Sequence, residues 1–576
     1  MTAPPTSSPA SPRRLPAVGR SAMALPRWET QGCDPVRRPS ASAGGPRPAD
    51  GPSAMPPPVA ERRESVRRGL GPGPEPRSRQ VAMTRDRPGR QPAPAVLAGA
   101  LLAVALVAGC ASVDPYAQPP ISVHLERDDD VGRCARRLRE ADARIDAAGT
   151  RDAAAPRVPG FPYLRVDRFT ASLAEPAAAL RGARFAAWSE LMAQADRQAR
   201  AAELANAGAP ELATEIDACR WALAVADGAE FVRLREAAVV PDDYSTAMRA
   251  LGLYPLTRLA FAAGIRDWQR RTLEVFATRL ADLPLAGRLQ RYAPAPPPPA
   301  LTPLRSAAFA LPAPSQPQLA SWVQRHAPLL EIDTASDDDR IGALRWAGDG
   351  LPAADIAEPV AYVRATYAHF GGRVRLQLVY TFWFPARPAE GAFDLFAGRL
   401  DGLIWRVTLD DAGEPLVYDS IHPCGCYHLF FPTAAVVERP QPQSLDEGLF
   451  APQRAPRLAP GERLALRIAA RTHYLQRLRA APADAAGVPY ALRDERELLT
   501  LPLPRGGTRS AYDAAGFVPG SQRGERWLFW PMGIASAGQM RQWGRHATAF
   551  VGRRHFDDAG LLDRYFALRP AGPAVD

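Results

Sequence analysis

No lysine occurs among the 576 residues, so all 71 basic side chains are arginine. That absence excludes a phosphate loop ending in lysine, Schiff-base and pyridoxal catalysis, and lysine-dependent kinase or serine hydrolase sites. Histidine is scarce at eight residues, and cysteine occurs six times. The chain contains no Gly-x-Ser-x-Gly elbow, no His-Glu-x-x-His helix and no glycine-rich dinucleotide fingerprint. A basic surface is missing too, once the charge is located. The formal net charge is +10, but residues 1–109 hold 16 Arg against 7 acidic residues, leaving 55 against 54 in the rest. So neutral a body offers no electrostatic footprint for a polyanion, and no nucleic-acid partner is expected.

What is present is globular: 46% hydrophobic and 8% aromatic residues, with length for two or three domains. The first stretch differs. Residues 1–82 hold 17 of the 61 prolines and bury too little apolar surface to offset ordering entropy, so disorder is expected there. At Met83 the character changes. Arg85, Arg87 and Arg90 precede the uncharged run "PAVLAGALLAVALVAGC", the pattern of a secretory signal over residues 83–109. A signal so far inside a chain points to Met83 as the start of translation.

The run closes on Val107-Ala108-Gly109-Cys110, which resembles the lipobox of bacterial lipoproteins. The resemblance implies acylation of Cys110, with palmitate-type chains, and cleavage just before it. Ala111, where aspartate marks inner-membrane retention, implies the outer membrane, periplasmic side. The competing reading, an uncleaved span over Ala95–Ser112, has 18 residues against the roughly 20 needed to cross.

The fold class expected is α+β: a mostly helical domain over 128–291 after a tether at 110–127, then a domain with an antiparallel sheet over 304–576. In the first part "VGRCARRLREADARIDAAG" and "RFAAWSELMAQADRQARAAELANAG" are helical, with Phe185, Trp188, Leu191 and Met192 on one face. Gly149 and Gly208 sit at helix ends, and Asp243 or Ser245 caps a later helix. Residues 292–303, with six prolines in twelve, read as a stiff connector and domain boundary. Beyond it "RVRLQLVYTFWF" alternates: Val374, Leu376, Leu378, Tyr380, Phe382 and Phe384 take one face, Arg373, Arg375, Gln377 and Thr381 the other, as in a half-buried strand. "LIWRVTLDDAGEPLVYDSI" reads as a hairpin turning at Asp411-Ala412-Gly413. Further strands are expected near 463–469 and 497–503, and a helix over 536–550.

The densest chemistry is "HPCGCYH", with His422, Cys424, Cys426 and His428 at every second position. Imidazole and thiolate together suit zinc or copper. On a straight strand, at about 3.3 Å per residue, the two histidines stand roughly 20 Å apart, too far for one ion, though Pro423 and Gly425 allow a bend. The rival reading is oxidation in an exported protein. With Cys33 and Cys110 set aside, Cys134, Cys219, Cys424 and Cys426 allow three pairings, and a Cys134–Cys219 bond with a strained Cys424–Cys426 bond is the pairing favoured over metal. A second cluster, His546 and His555 with Asp557 and Asp558, has the residue types of a metal or acid–base pair. Asp419, Ser420 and His422 have those of a hydrolase triad, but adjacent residues on alternate strand faces do not converge. The aromatic runs "YTFWF" and "RWLFW" fit sugar stacking or, more simply, core.

The function expected is a lipid-anchored envelope interaction or maintenance protein with no identifiable reaction, bound to the membrane through its lipid and to an unspecified envelope protein or polymer. The alternatives are an envelope metal or thiol-redox protein centred on 422–428, and a hydrolase of envelope polymers.

Overall fold

The computed structural model describes residues 124–175, 180–228, 230–298 and 308–570. Cys33, Cys110, residues 1–82, the expected signal at 83–109 and most of the expected tether at 110–127 lie outside them. The protein is α+β. Among the described residues no helix is long and apolar enough to cross a membrane.

Helix α1 (Asp130–Ala148) begins where the Asp129 carboxylate accepts from the Gly132 amide at 3.0 Å and stops at Gly149, whose φ of 64° breaks the helical path. It buries Cys134, Ala135, Leu138, Ala141 and Ile145 against α2 (Ala183–Asn206) and α3 (Glu211–Ala226). On α2 the expected face is seen, with Trp188 and Met192 buried and Phe185 and Leu191 packed beside them. Cys134 and Cys219 form a disulfide joining α1 to α3. Between these helices lies a buried charge cluster: Arg165, Arg200 and Arg220 all contact the carboxylate of Asp196, at 3.1, 3.1 and 2.6 Å. Such pairing offsets the large desolvation cost of buried charge. Ser245, not Asp243, caps the helix at Thr246–Leu251; Asp243 instead pairs with Arg168 and Arg545. Helix α4 (Tyr254–Ala277) is 24 residues long, yet only Ala262 and Phe276 are buried. Helix α5 (Gln316–His326) opens on a Ser315–Gln318 capping box.

The principal strands are β1 (Arg288–Ala293), β2 (Leu329–Thr334), β3 (Val360–Phe370), β4 (Arg373–Arg387), β5 (Gly398–Leu409), β6 (Pro415–Ile421), β7 (Leu429–Pro432), β8 (Glu462–Ile468), β9 (Leu475–Pro482), β10 (Val488–Pro489) and β11 (Ala491–Asp494). They form a six-stranded sheet, β7-β6-β5-β4-β3-β11, and a five-stranded one, β9-β8-β2-β1-β10. Both are mixed: β11 lies parallel to β3, and β8 and β10 lie parallel to β2 and β1. One core joins the facing sides of the two sheets, from Leu378, Tyr380, Phe382 and Trp405 to Leu330, Ile332, Leu464 and Leu466.

Three local expectations are corrected. Strand β4 is buried on both sides rather than half-buried, because its second face is covered too: Val379 packs with Trp543 and Phe556, and the Gln377 amide donates to Thr408 at 2.9 Å. The region 536–550 is irregular and not a helix, since Gly538 and Gly544 have φ of 82° and 83°, outside any right-handed helix. Residues 495–499 form a 3-10 turn, leaving only Leu501–Pro502 as strand. Of the proline-rich run expected as a connector, residues 299–303 lie outside the described residues; Tyr292 and Ala293 belong to β1, and Arg168 from the helical part contacts Asp557 at 3.0 Å. The β5–β6 hairpin is as expected, with Gly413 at φ 85°.

Candidate active site

The heptapeptide from His422 to His428 is the turn between β6 and β7. Gly425 donates its amide to the His422 carbonyl at 2.8 Å, and His422 donates its own to Cys426 at 3.0 Å. Gly425 at φ 87° and Tyr427 at φ 62° complete the reversal. A chain bent this way does not bring the four donors together. His422 Nδ1 faces Asp401 at 3.3 Å, whereas His428 Nε2 faces Asp419 at 2.9 Å, a carboxylate also held by Arg406. Cys424 and Cys426 are buried and unbridged, so the proposed Cys424–Cys426 disulfide is absent. The hydrogen bond its thiol makes to Cys424, with burial, pushes the Cys426 thiol up, which makes it a poor nucleophile. Among the described residues no group of three or more His, Cys, Asp and Glu is arranged to hold a metal ion.

His546 and His555 also part company: His546 Nε2 faces the Pro423 carbonyl at 3.1 Å, and His555 faces Asp242 at 3.3 Å and Asp558 at 3.7 Å. Asp557 is taken by Arg168. The "YTFWF" aromatics are core, whereas Trp527 and Leu528 of "RWLFW" are exposed.

What the turn does build is a chain of buried acid–base groups. Asp401, on β5 and 2% exposed, accepts from the Gly402 amide at 2.9 Å and contacts His422 at 3.3 Å and His473 Nδ1 at 2.9 Å. His473 Nε2 lies 3.4 Å from Asp339, an ion-pair contact rather than an aligned hydrogen bond. The His473 ring stacks on Phe384 with centroids 3.9 Å apart. Burial works against the His473 cation, but its contacts with Asp339 and Asp401 outweigh that and raise its pKa. Burial likewise opposes ionised Asp401, yet His422 and His473 hold it well below the usual carboxylate range. For His422 burial wins over Asp401 and lowers the pKa. Asp339 and Asp401 are thereby held as carboxylates, while His473 is biased toward its cation and His422 toward its neutral form.

A neutral His422 with Nδ1 on Asp401 turns Nε2 away from that carboxylate, and Nε2 makes no hydrogen bond among the described residues. His422 borders a cavity of about 160 Å³, together with Trp268 and Thr272 of α4, Ser420, Tyr427 and Tyr474. A void of about 150 Å³ holds a benzene-sized molecule. Tyr427 and Tyr474 pack at 4.6 Å, and Arg387 Nη1 donates to the Tyr474 hydroxyl at 3.3 Å. Burial raises both tyrosines, which stay phenols. Ser420 is near the end of β6, two residues before His422 at the start of the turn. Ser420 and His422 line one cavity, and Asp401 of the neighbouring strand stands at the Nδ1 side of His422.

The backbone around this group is strained. Of the nine non-glycine residues at positive φ among the described ones, Leu400 (55°), Tyr427 (62°), Arg471 (63°) and His473 (53°) flank or belong to it. Each such conformation costs on the order of 1–3 kcal/mol and persists where the surroundings enforce it, commonly at functional sites.

Sequence reasoning missed Asp401, His473 and Asp339. A signal for Asp401 existed: in the β5–β6 register Ile421 faces Ile404, so extending the pairing brings His422 to Cys424 beside Leu403 to Asp401. His473 and Asp339 offered none, being brought in by other strands. Compared with known protein families, curated proteins and solved structures, the chain matches none.

Proposed function

We propose that this chain is a lipid-anchored outer-membrane lipoprotein whose periplasmic body carries a general-base hydrolytic site at Ser420, His422 and Asp401. The anchor reading rests on the arginine-rich segment before Val107-Ala108-Gly109-Cys110. In it, residues 128–291 are a mostly helical part and 304–576 the sheet-bearing part of the body.

The observation that carries the hydrolytic reading is neutral His422, held by Asp401 on one nitrogen and bordering the cavity beside Ser420. In such an arrangement the imidazole takes the serine proton as the oxygen attacks an acyl carbon, and the carboxylate stabilises the imidazolium that forms. The cationic His473 keeps Asp401 ionised for that task. The cavity volume limits the acyl group to a few carbons, so the substrate class is a short acyl ester, including an acyl substituent on an envelope polymer.

The test is turnover of short-chain p-nitrophenyl esters by the mature protein, with fluorophosphonate labelling mapped by peptide mass spectrometry. Labelling at Ser420 is expected, with turnover lost by about 10²–10⁴-fold in His422→Gln. Turnover unchanged in both Ser420→Ala and His422→Gln sinks the reading. A second reading, an interaction protein without chemistry, is favoured by the exposed apolar surface beside Trp527.

A further inference from the structure

Helix α4 is the least buried long helix of the body, and its start is apolar outward. Leu251, the last residue of the preceding short helix, Leu253 at the N-cap, and Leu256 and Leu259 in the first turns are 60%, 61%, 67% and 52% exposed. Beside them lie Trp527 (71%) and Leu528 (54%) of the short helix Arg526–Phe529, and Phe393 (94%) at the tip of the β4–β5 loop. The three segments form one face. Phe529 packs on Phe261 of α4 at 5.4 Å and on Phe396 at 6.2 Å, the Glu525 amide donates to the Leu395 carbonyl at 3.0 Å, and Gly252 sits directly against Pro531. A soluble surface does not commonly gather so many large apolar side chains without a partner.

The charge around this face points to the partner. Arg258, Arg266 and Arg526 form no ion pair among the described residues, and Arg526 lies over the Trp527 ring at 4.7 Å. Of the neighbouring acids, Asp267 pairs with Arg270 and Arg271 and Asp394 accepts from the amides of Glu390 and Phe396, while the exposed Glu390 carboxylate makes no ion pair among the described residues. Exposed tryptophan and leucine ringed by uncompensated arginine is the composition that settles into a headgroup layer and meets lipid phosphate.

Reach agrees. The described chain begins at His124, 14 residues after Cys110, so an acylated Cys110 keeps that point within about 50 Å of the bilayer.

We propose that this face lies on an anionic phospholipid bilayer; the proposal rests on the lipoprotein reading. The body is then a second, reversible membrane contact beside the lipid anchor, and α4, whose Trp268 and Thr272 also wall the Ser420–His422 cavity, sits between membrane and cavity.

The experiment reconstitutes the full chain into vesicles of phosphatidylethanolamine and phosphatidylglycerol, with and without lipids brominated on the acyl chain. Emission of wild type minus Trp527→Phe isolates Trp527. The expected result is that bromolipid removes most of this component, and that replacing phosphatidylglycerol with phosphatidylcholine or adding 1 M salt restores it. Protein that pellets with the vesicles while Trp527 stays unquenched overturns the docking but leaves the anchor. Protein that does not pellet and carries an intact Gly109–Cys110 peptide overturns both. A dimer in detergent that is lost in Trp527→Ser assigns the face to a second copy and also overturns the proposal.

Discussion

Replacing Asp401 with asparagine should separate a working acid–base chain from a merely polar patch. Asp401 is buried and ionised, and its two oxygens serve the Gly402 amide at 2.9 Å, His473 at 2.9 Å and His422 at 3.3 Å. Asparagine keeps the shape but loses the charge, and its amide nitrogen meets one of the two imidazoles donor to donor. Hydrogen bonds to a charged group are worth about 1.5–3 kcal/mol each. Removing one partner of a buried ionic cluster costs about 3–5 kcal/mol, because the remaining charge is stranded. The stranded charge here is on His473, left with Asp339 alone, so its raised pKa should fall back.

Urea unfolding at pH 7 measures the first effect, and histidine ring NMR titration the second. The pH dependence carries a sign of its own. His473 has a raised folded pKa, so its contribution is complete below the unfolded value of about 6.5 and disappears as pH rises through the folded value. Asp401→Asn should abolish that loss on the alkaline side. An asparagine variant within about 1 kcal/mol of wild type at pH 7, with His473 titrating unchanged, would refute the charge order assigned to the chain.

Acid should destabilise the protein through three other histidines. Burial lowers His326, His428 and His546 to about 3, so the unfolded state takes up protons from about pH 6.5 downward while the folded state resists until about pH 3. Stability should then fall by about 4 kcal/mol per pH unit in that window, and His428→Phe should flatten the acid limb followed by circular dichroism. The Cys134–Cys219 bond closes a separation of 85 residues, for which chain entropy gives about 4–5 kcal/mol; Cys134→Ser with Cys219→Ser should lower stability by that order in calorimetry or urea. Cys424 and Cys426 should resist alkylation in the native protein and both react after unfolding without reductant, and a mass two daltons low after unfolding would show the bridge that the structure lacks. A Cβ on Gly413 meets the Trp322 ring at 1.4 Å with φ at 85°, so Gly413→Ala should cost several kcal/mol, read as a drop in thermal midpoint.

By itself the sequence determined what depends on neighbours along the chain. Helix α1 starts and stops at Asp129 and Gly149 because capping and left-handed backbone are local effects. Strands β4 to β6 follow from alternation and from a turn that glycine alone fits easily. The missing lysine excluded chemistries outright, and the motif at Cys110 carries the expectation of an anchor. Alternation could not say that β4 is covered on its second face, since that depends on Trp543 and Phe556 arriving from about 170 residues away.

Tertiary structure decided the meaning of "HPCGCYH". The spacing of two histidines and two cysteines suggested ligands of one ion, but the turn faces His422 and His428 toward different carboxylates, each on another part of the sheet. His473 reaches Asp401 across 72 positions of sequence, and Asp339 and His473 come from separate segments. Protonation states are set by burial and by the nearest opposite charge. Both are properties of a packed interior, so a histidine at the cavity biased to its neutral form, beside a carboxylate shared with a second histidine, became visible only when the two sheets had closed around it.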